Sequence, residues 1–268
     1  MASASVGKFA LLAAVAMAAG CENALAGAWT LGEGETLVIA GASFADSAAA
    51  FDLKGRLIPV SSYRKFELGV YVERGLTDSF TLIVKPSFED VATKGPPGGA
   101  YHGFEAMEAG ARLRLAQFND LVFSAQALVK IPAASDKANP ALVGATAREI
   151  EGRLLAGYSF RAFERAAFAD AQIAWTARDG GNPGEARLDL TLGVQATEAV
   201  QLLLQSFNLA TTGAGNVNYP AQRASKLQAS VVYAFAPGWS LQGGGFATVA
   251  AQNARRESGA VAAVWRRF

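Results

Sequence analysis

The sequence predicts an all-β fold: a transmembrane antiparallel up-and-down β-barrel of about twelve strands. Three observations carry that prediction. Apolar and polar residues alternate through most of the chain, the alternating stretches are long, and the connections between them are short and long by turns. Period two marks a strand, because successive side chains leave opposite faces.

The stretch 66–84 shows the design. Phe66, Leu68, Val70 and Val72 share one face, while Glu67, Gly69, Tyr71 and Glu73 share the other. Gly75-Leu76-Thr77-Asp78 supplies turn chemistry. Beyond it Phe80, Leu82 and Val84 oppose Thr81, Ile83 and Lys85. One face of this hairpin is wholly apolar and the other carries charge.

Composition narrows the class. The chain has 268 residues, 51% hydrophobic and 18% charged, with a net charge of +1. That suits one large domain and argues against a nucleic-acid partner. Past the first residues there is no apolar run of about eighteen residues, so membrane-spanning helices are not expected.

Residues 1–26 read as a signal peptide. Lys8 supplies the positive charge, 9–19 form an apolar core, and Ala24-Leu25-Ala26 fits a cleavage site. Residues 27–268 then form the outer-membrane barrel domain, and Cys21, the only cysteine, is lost. The alternative is lipidation at Cys21, through Ala18-Ala19-Gly20-Cys21.

The strands follow in order. Residues 35–43 form the first, and 63–88 hold the second and third as the hairpin above. In 104–117, Met107, Ala109, Ala111, Leu113 and Leu115 oppose Glu108, Gly110, Arg112 and Arg114. In 120–131, Leu121, Phe123, Ala125, Ala127 and Val129 oppose Ser124, Gln126 and Lys130. In 147–160, Ile150, Leu154, Ala156 and Tyr158 oppose Glu149, Glu151 and Arg153. In 167–178, Ala169, Ala171, Ile173 and Trp175 oppose Asp170, Gln172 and Thr176. In 185–196, Leu188, Leu190, Leu192 and Val194 oppose Arg187, Asp189 and Thr191. The stretch 200–211 is blurred by Leu202, Leu203 and Leu204. In 223–235, Leu227, Ala229, Val231, Tyr233 and Phe235 oppose Lys226, Gln228 and Ser230. A glycine-rich strand spans 239–251, and 259–268 ends the chain.

A soluble sandwich also alternates. The membrane is favoured by strand length, since a tilted span needs about 9–11 residues. It is favoured again by the connections. Short ones at 75–78, 118–120, 161–166, 197–199 and 237–238 alternate with long ones at 44–62, 91–103, 132–146 and 212–222, while 179–184 and 252–258 are shorter but lie in the same phase as the long ones. Bacterial barrels keep short turns on the periplasmic side. Aromatics cluster at the short turns: Phe80, Phe118, Phe160, Phe163, Phe168, Phe235, Trp239, Trp265 and Phe268. An interfacial girdle puts them there.

The last strand, from Gly259 through Trp265-Arg266-Arg267-Phe268, resembles that of Gram-negative outer-membrane barrels, which commonly end in an aromatic. The resemblance implies outer-membrane lipid and the barrel-assembly machinery as partners, the latter reading Phe268. Arg266 departs from that pattern. The turn Arg74-Gly75-Leu76-Thr77-Asp78-Ser79-Phe80 is similar to turns in barrels of the phenol-degradation MetA type.

The candidate site is the lumen lining: Lys65, Glu67, Glu73, Lys85, Glu108, Arg112, Arg114, Lys130, Glu149, Glu151, Arg153, Asp170, Arg187, Asp189 and Lys226. Such a set serves as interlocking ion pairs or as a solute path. Arg112 and Arg114, with Lys85 or Glu89 and Lys130 or Gln126 beside them, are expected to make one side of the wall positive. Glu149, Glu151 and Asp170 lie further round, and the separation would set up a transverse field. His102, the only histidine, falls in a glycine-rich loop without a catalytic serine beside it. No cofactor or metal is expected. The leading expectation is a passive channel for small solutes, not an enzyme. The alternatives are a closed structural or adhesion barrel, a lipid-acting barrel enzyme, and a secreted soluble β protein.

Overall fold

The computed structural model describes residues 27–95 and 98–268. The expected signal segment, Cys21 included, lies outside the described residues.

The chain runs as β1 (Thr36–Phe51), β2 (Leu57–Thr77), β3 (Phe80–Thr93), β4 (Gly99–Phe118), β5 (Leu121–Pro132), β6 (Glu149–Ala162) and β7 (Arg165–Arg178). It continues as β8 (Gly184–Gln195), β9 (Val200–Thr212), β10 (Arg223–Ala236), β11 (Trp239–Gln252), β12 (Ala254–Arg255) and β13 (Ser258–Arg267). Successive strands pair antiparallel, and β1 pairs with both β2 and β13. That double pairing closes a 12-strand barrel, with two-residue β12 added beside the outer end of β1.

Burial is inverted relative to a protein dissolved in water. Leu68, Ile173, Trp175, Leu190 and Val231 stand exposed on the outer face, while Glu73, Thr81, Arg112, Ser124 and Asp170 are buried inside. Alternation forces this, since each inward residue has outward neighbours. Closure leaves no free sheet edge, which a membrane requires because lipid cannot satisfy a bare N–H or C=O.

Two connections expected to be long loops are strand instead. Residues 44–62 carry β1 to Phe51 and β2 back to Leu57, leaving a tip of only 52–56. Residues 91–103 likewise belong mostly to β3 and β4. Small residues hid the period here: Ala45 and Ser47 point inward, and a bulge between Ser47 and Ala49 breaks the phase. The tip is a tight turn in which Asp52 Oδ1 accepts from the amides of Lys54 and Arg56. The Arg56 amide, joined by its guanidinium, holds the Asp52 carboxyl below its usual range.

The aromatic girdle also needs correction. Phe118, Phe163, Phe235, Trp239 and Phe268 are exposed, but Phe168 and Trp265 are buried inside. They fall on inward positions of β7 and β13, and the strand period outranks closeness to a turn.

Candidate functional site

The lumen is organised in three layers. The lowest is made by the segment ahead of β1. Residues 27–34 enter at the turn end, where Thr30 Oγ1 donates to the Asp78 carbonyl at 2.6 Å. The chain then passes inside the wall. The Leu31 amide donates to Thr81 Oγ1 at 3.1 Å, Arg112 Nη1 to the Trp29 carbonyl at 3.0 Å, and Ser124 Oγ to the Ala28 carbonyl at 2.5 Å. The Ala28 amide donates to Asp170 Oδ2 at 2.7 Å. Ala28 is wholly buried and Leu31 nearly so.

Wall side chains meet this segment with apolar surface. Leu31, Leu37, Phe168, Leu203, Val232 and Trp265 form one cluster with Trp29 against it, and Ala28, Val122 and Leu155 form another. Trp29 stands edge-on to Phe168 at 5.7 Å. A β-carbon on Gly157 would fall 2.6 Å from the Trp29 indole, so β6 needs glycine there. The segment thus plugs the turn end.

The middle layer is charged on one side and neutral on the other. Lys85, Glu108, Lys130, Glu149 and Arg178 are consecutive cross-strand partners from β3 to β7. Lys85 meets Glu108 at 2.9 Å, and Arg178 meets Glu149 at 2.8 Å and Glu185 at 3.2 Å. Lys130 turns instead to Glu105, at 3.3 Å. Beside this row, Arg153 bridges Glu151 at 2.9 Å and Asp189 at 2.6 Å. Lys65 holds Glu67 and Glu89, at 3.0 and 3.1 Å. Arg112 holds Glu73 at 2.8 Å.

Across the lumen the wall carries amides and hydroxyls. Gln228 donates to Gln205 at 3.0 Å, Gln242 to Ser230 at 2.9 Å, and Trp265 Nε1 to Gln242 at 3.1 Å. A cavity of about 360 Å³ lies between the two sides, with Glu67, Tyr71, Lys85 and Glu105 facing Gln228 and Gln242.

The third layer covers the loop end. The Ala147 amide donates to the Tyr219 hydroxyl at 2.6 Å, and Arg178 lies over the Tyr219 ring at 4.9 Å. The tip after β1 also reaches over the opening, where Phe51, Arg187, Asn208 and Ser225 line a recess of about 670 Å³.

These contacts overturn the expected separation of charge. Arg112 lies between Thr81 and Gln126 in register, and Lys85 and Lys130 both flank Glu108. Arg112, Lys85 and Lys130 are each neutralised by a carboxylate, so the expected positive patch does not form. Arg114 sits nearer the turn end and donates to Gln117 at 3.0 Å. Arg187 meets Glu185 at 2.5 Å, and Lys226 meets Glu257 at 2.9 Å. His102 is not in a loop. It is an outward, exposed residue of β4, 3.3 Å from Asp90 and edge-on to Phe88.

Reading the alternation alone misses several lumen residues. Glu105 lies at an irregularity in the β3–β4 register that turns it inward beside Ala106, against strict alternation. Arg178, Glu185 and Glu257 flank loops, where no period betrays a face. The segment 27–31 carries no motif beyond its apolar Trp29 and Leu31. Among the described residues no cluster of His, Cys, Asp or Glu is placed to hold a metal ion.

A closed barrel, apolar outside and polar within, defines the outer-membrane class of β-barrel. Comparison with solved structures agrees. The COG4313 outer membrane channel from Pseudomonas putida F1 superposes with a TM-score of 0.71 at 15% identity, covering 90% of this chain and 98% of that one. The NanC porin gives a TM-score of 0.53 at 8% identity, over 85% of this chain and 98% of that one. The β domain of the Bordetella autotransporter BrkA gives 0.52 at 12% identity, over 88% and 100%. At such identities the likeness is one of fold. No protein-family model matches the chain, and no curated protein matches it by sequence.

Proposed function

We propose that the protein is a passive outer-membrane channel for small polar solutes, narrowed at its periplasmic end by residues 27–31. The observation that carries this reading is the cavity between the charged row and the glutamine wall. Charged residues line one side and Gln228 and Gln242 the other, with small apolar residues such as Ala42, Ala262 and Ala263 between them, and its charges are balanced within the wall. A balanced lining exerts little net pull on simple ions. Neutral or zwitterionic solutes suit it best. The likeness to a solved outer membrane channel supports the same reading. Outer-membrane lipid would bathe the exposed apolar belt, and the assembly machinery would read Phe268. The reading includes no catalytic step.

The apolar clusters around Trp29 favour a second reading, a barrel held shut. Planar-bilayer conductance, with liposome swelling in small neutral and zwitterionic solutes, tests both. The channel reading expects small conductance steps from the wild type and larger ones from a chain lacking 27–31. The shut-barrel reading expects a silent wild type. Silence from both chains, each shown to be folded, would sink the channel.

A further inference from the structure

Four acidic side chains are buried among the described residues: Glu73, Glu89, Asp170 and Glu185. Glu73 is paired with Arg112, Glu89 with Lys65, and Glu185 with Arg178 and Arg187. Asp170 is 3% exposed and makes no salt bridge among the described residues; the Arg112 and Arg153 guanidiniums act on it only from beyond contact. Its oxygens accept from the Gln172 amide at 2.6 Å and the Ala28 backbone amide at 2.7 Å. A buried carboxylate without a counter-ion in contact is costly, and proteins seldom leave one so.

The backbone of Gly27 lies against this carboxylate. A β-carbon on Gly27 would fall 2.4 Å from Oδ2 and 2.5 Å from Cγ, so any side chain there would push the Asp170 carboxylate aside. Its φ of +123° also lies where L side chains are strained. Both features select glycine at the one position whose nitrogen is exposed as an amine if the chain is cut after Ala26.

We infer that the chain is processed between Ala26 and Gly27, and that the new α-ammonium of Gly27 is the counter-ion of Asp170. Hydrolysis breaks the Ala26 carbonyl-carbon to Gly27 nitrogen bond. Water gives its hydroxyl to the Ala26 carboxyl group and its hydrogen to the amine. The amine then takes a further proton from solvent, because an α-amino group has a pKa of about 8. Processing converts a neutral amide nitrogen into a cation beside the unpaired carboxylate. Asp170 is therefore a receptor for the mature terminus, and the plug seats fully after cleavage. This holds whether or not the lumen conducts.

The test begins with the mass of the protein isolated from outer membranes, expected to correspond to a chain starting at Gly27. A chain starting at lipidated Cys21, or at any other residue, would overturn the inference. The second arm refolds chains starting at Gly27 or at Ala26, made by removal of an initiator methionine, each with Asp170 or Asp170→Asn. Urea unfolding in detergent micelles gives the folding equilibrium constants. In the Gly27 chain, D170N should lower that constant about tenfold or more, the scale of a charge-assisted bond. In the Ala26 chain, already weakened, D170N should change it little. Equal losses in both chains would overturn the pairing. Should D170N not fold, the acylation rate of the α-amine decides on the chains that retain Asp170. The Gly27 terminus should react at least about tenfold more slowly than the Ala26 terminus, as a paired ammonium would. Equal rates would sink the proposal.

Discussion

Arg112 and Glu73 form an ion pair at 2.8 Å inside the lumen, although β3 runs between the strands that carry them. Arg112 is also bonded to Gln126, to the Tyr71 hydroxyl and to the Trp29 carbonyl. Tyr71 in turn donates to Glu73. One guanidinium thus ties three wall strands to the plug, a task suited to its planar fork of donors.

Arg112→Met should therefore cost about 3–5 kcal/mol of stability, because it strands the Glu73 carboxylate in the interior. Adding Glu73→Gln should recover much of that loss. Urea unfolding of both single variants and the double variant gives the coupling. Strictly additive losses would mean that the two side chains do not sense each other.

Gly157→Val should unseat Trp29, since a β-carbon at that position would fall 2.6 Å from the indole. Trp29 fluorescence, read in a variant whose other three tryptophans are replaced by Phe, should shift to longer wavelength as the ring meets water. Under the channel reading, conductance should rise as well. A spectrum unchanged from the parent would show that the indole has room to give way.

Leu190→Arg should impair assembly. Leu190 is an outward residue of β8, paired with Ala171 and Ser206. A charge there faces hydrocarbon, at a cost of about 2–4 kcal/mol near the bilayer midplane. Asp189→Asn points inward and should be milder. It weakens the bond from Arg153, yet Arg153 keeps Glu151. Folded yield in lipid vesicles ranks the two, and a reversed ranking would shift β8 by one residue.

Deleting Phe268 should lower outer-membrane yield and leave protein in the periplasm. The Phe268 amide donates to the Thr36 carbonyl at 2.9 Å, and the Thr36 amide to the Phe268 carbonyl at 3.3 Å. Deletion removes these two bonds from the end of the β1–β13 seam, besides the terminal aromatic. Comparing Phe268→Ala, which retains the backbone, separates the two effects: the assembly role requires that this variant too is retained in the periplasm.

The barrel was legible because β2 to β8 obey period two almost without interruption, and Ile83 or Leu190 could be assigned a face by counting. What escaped had lost its period or never had one. Glu105 sits where the β3–β4 register slips, and Ala45 and Ser47 are too small to mark an inner face. Trp265 lies close enough to a turn to suggest the girdle, yet its parity on β13 places it inside. The charged residues of the lumen could be named, but their partners depend on stagger between strands, which a single sequence does not display. The expected positive patch failed for that reason. The plug escaped because Gly27, Ala28 and Trp29 precede the first strand and carry no pattern.

The row from Lys85 to Arg178 has a consequence for how this sequence can change. Its members alternate in sign, and each inner member stands between two of the opposite sign. Such a row has parity. Reversing Glu108 alone sets like charges on both its flanks, and exchanging Glu108 with Lys130 only moves the two clashes outward. Inverting all five together keeps neighbours within the row opposite, but it sets acids at 130 and 178 against Glu105 and Glu185. The row and the carboxylates it holds are therefore inherited together across nearly a hundred residues of chain, and drift at one rung calls for change at the positions it touches.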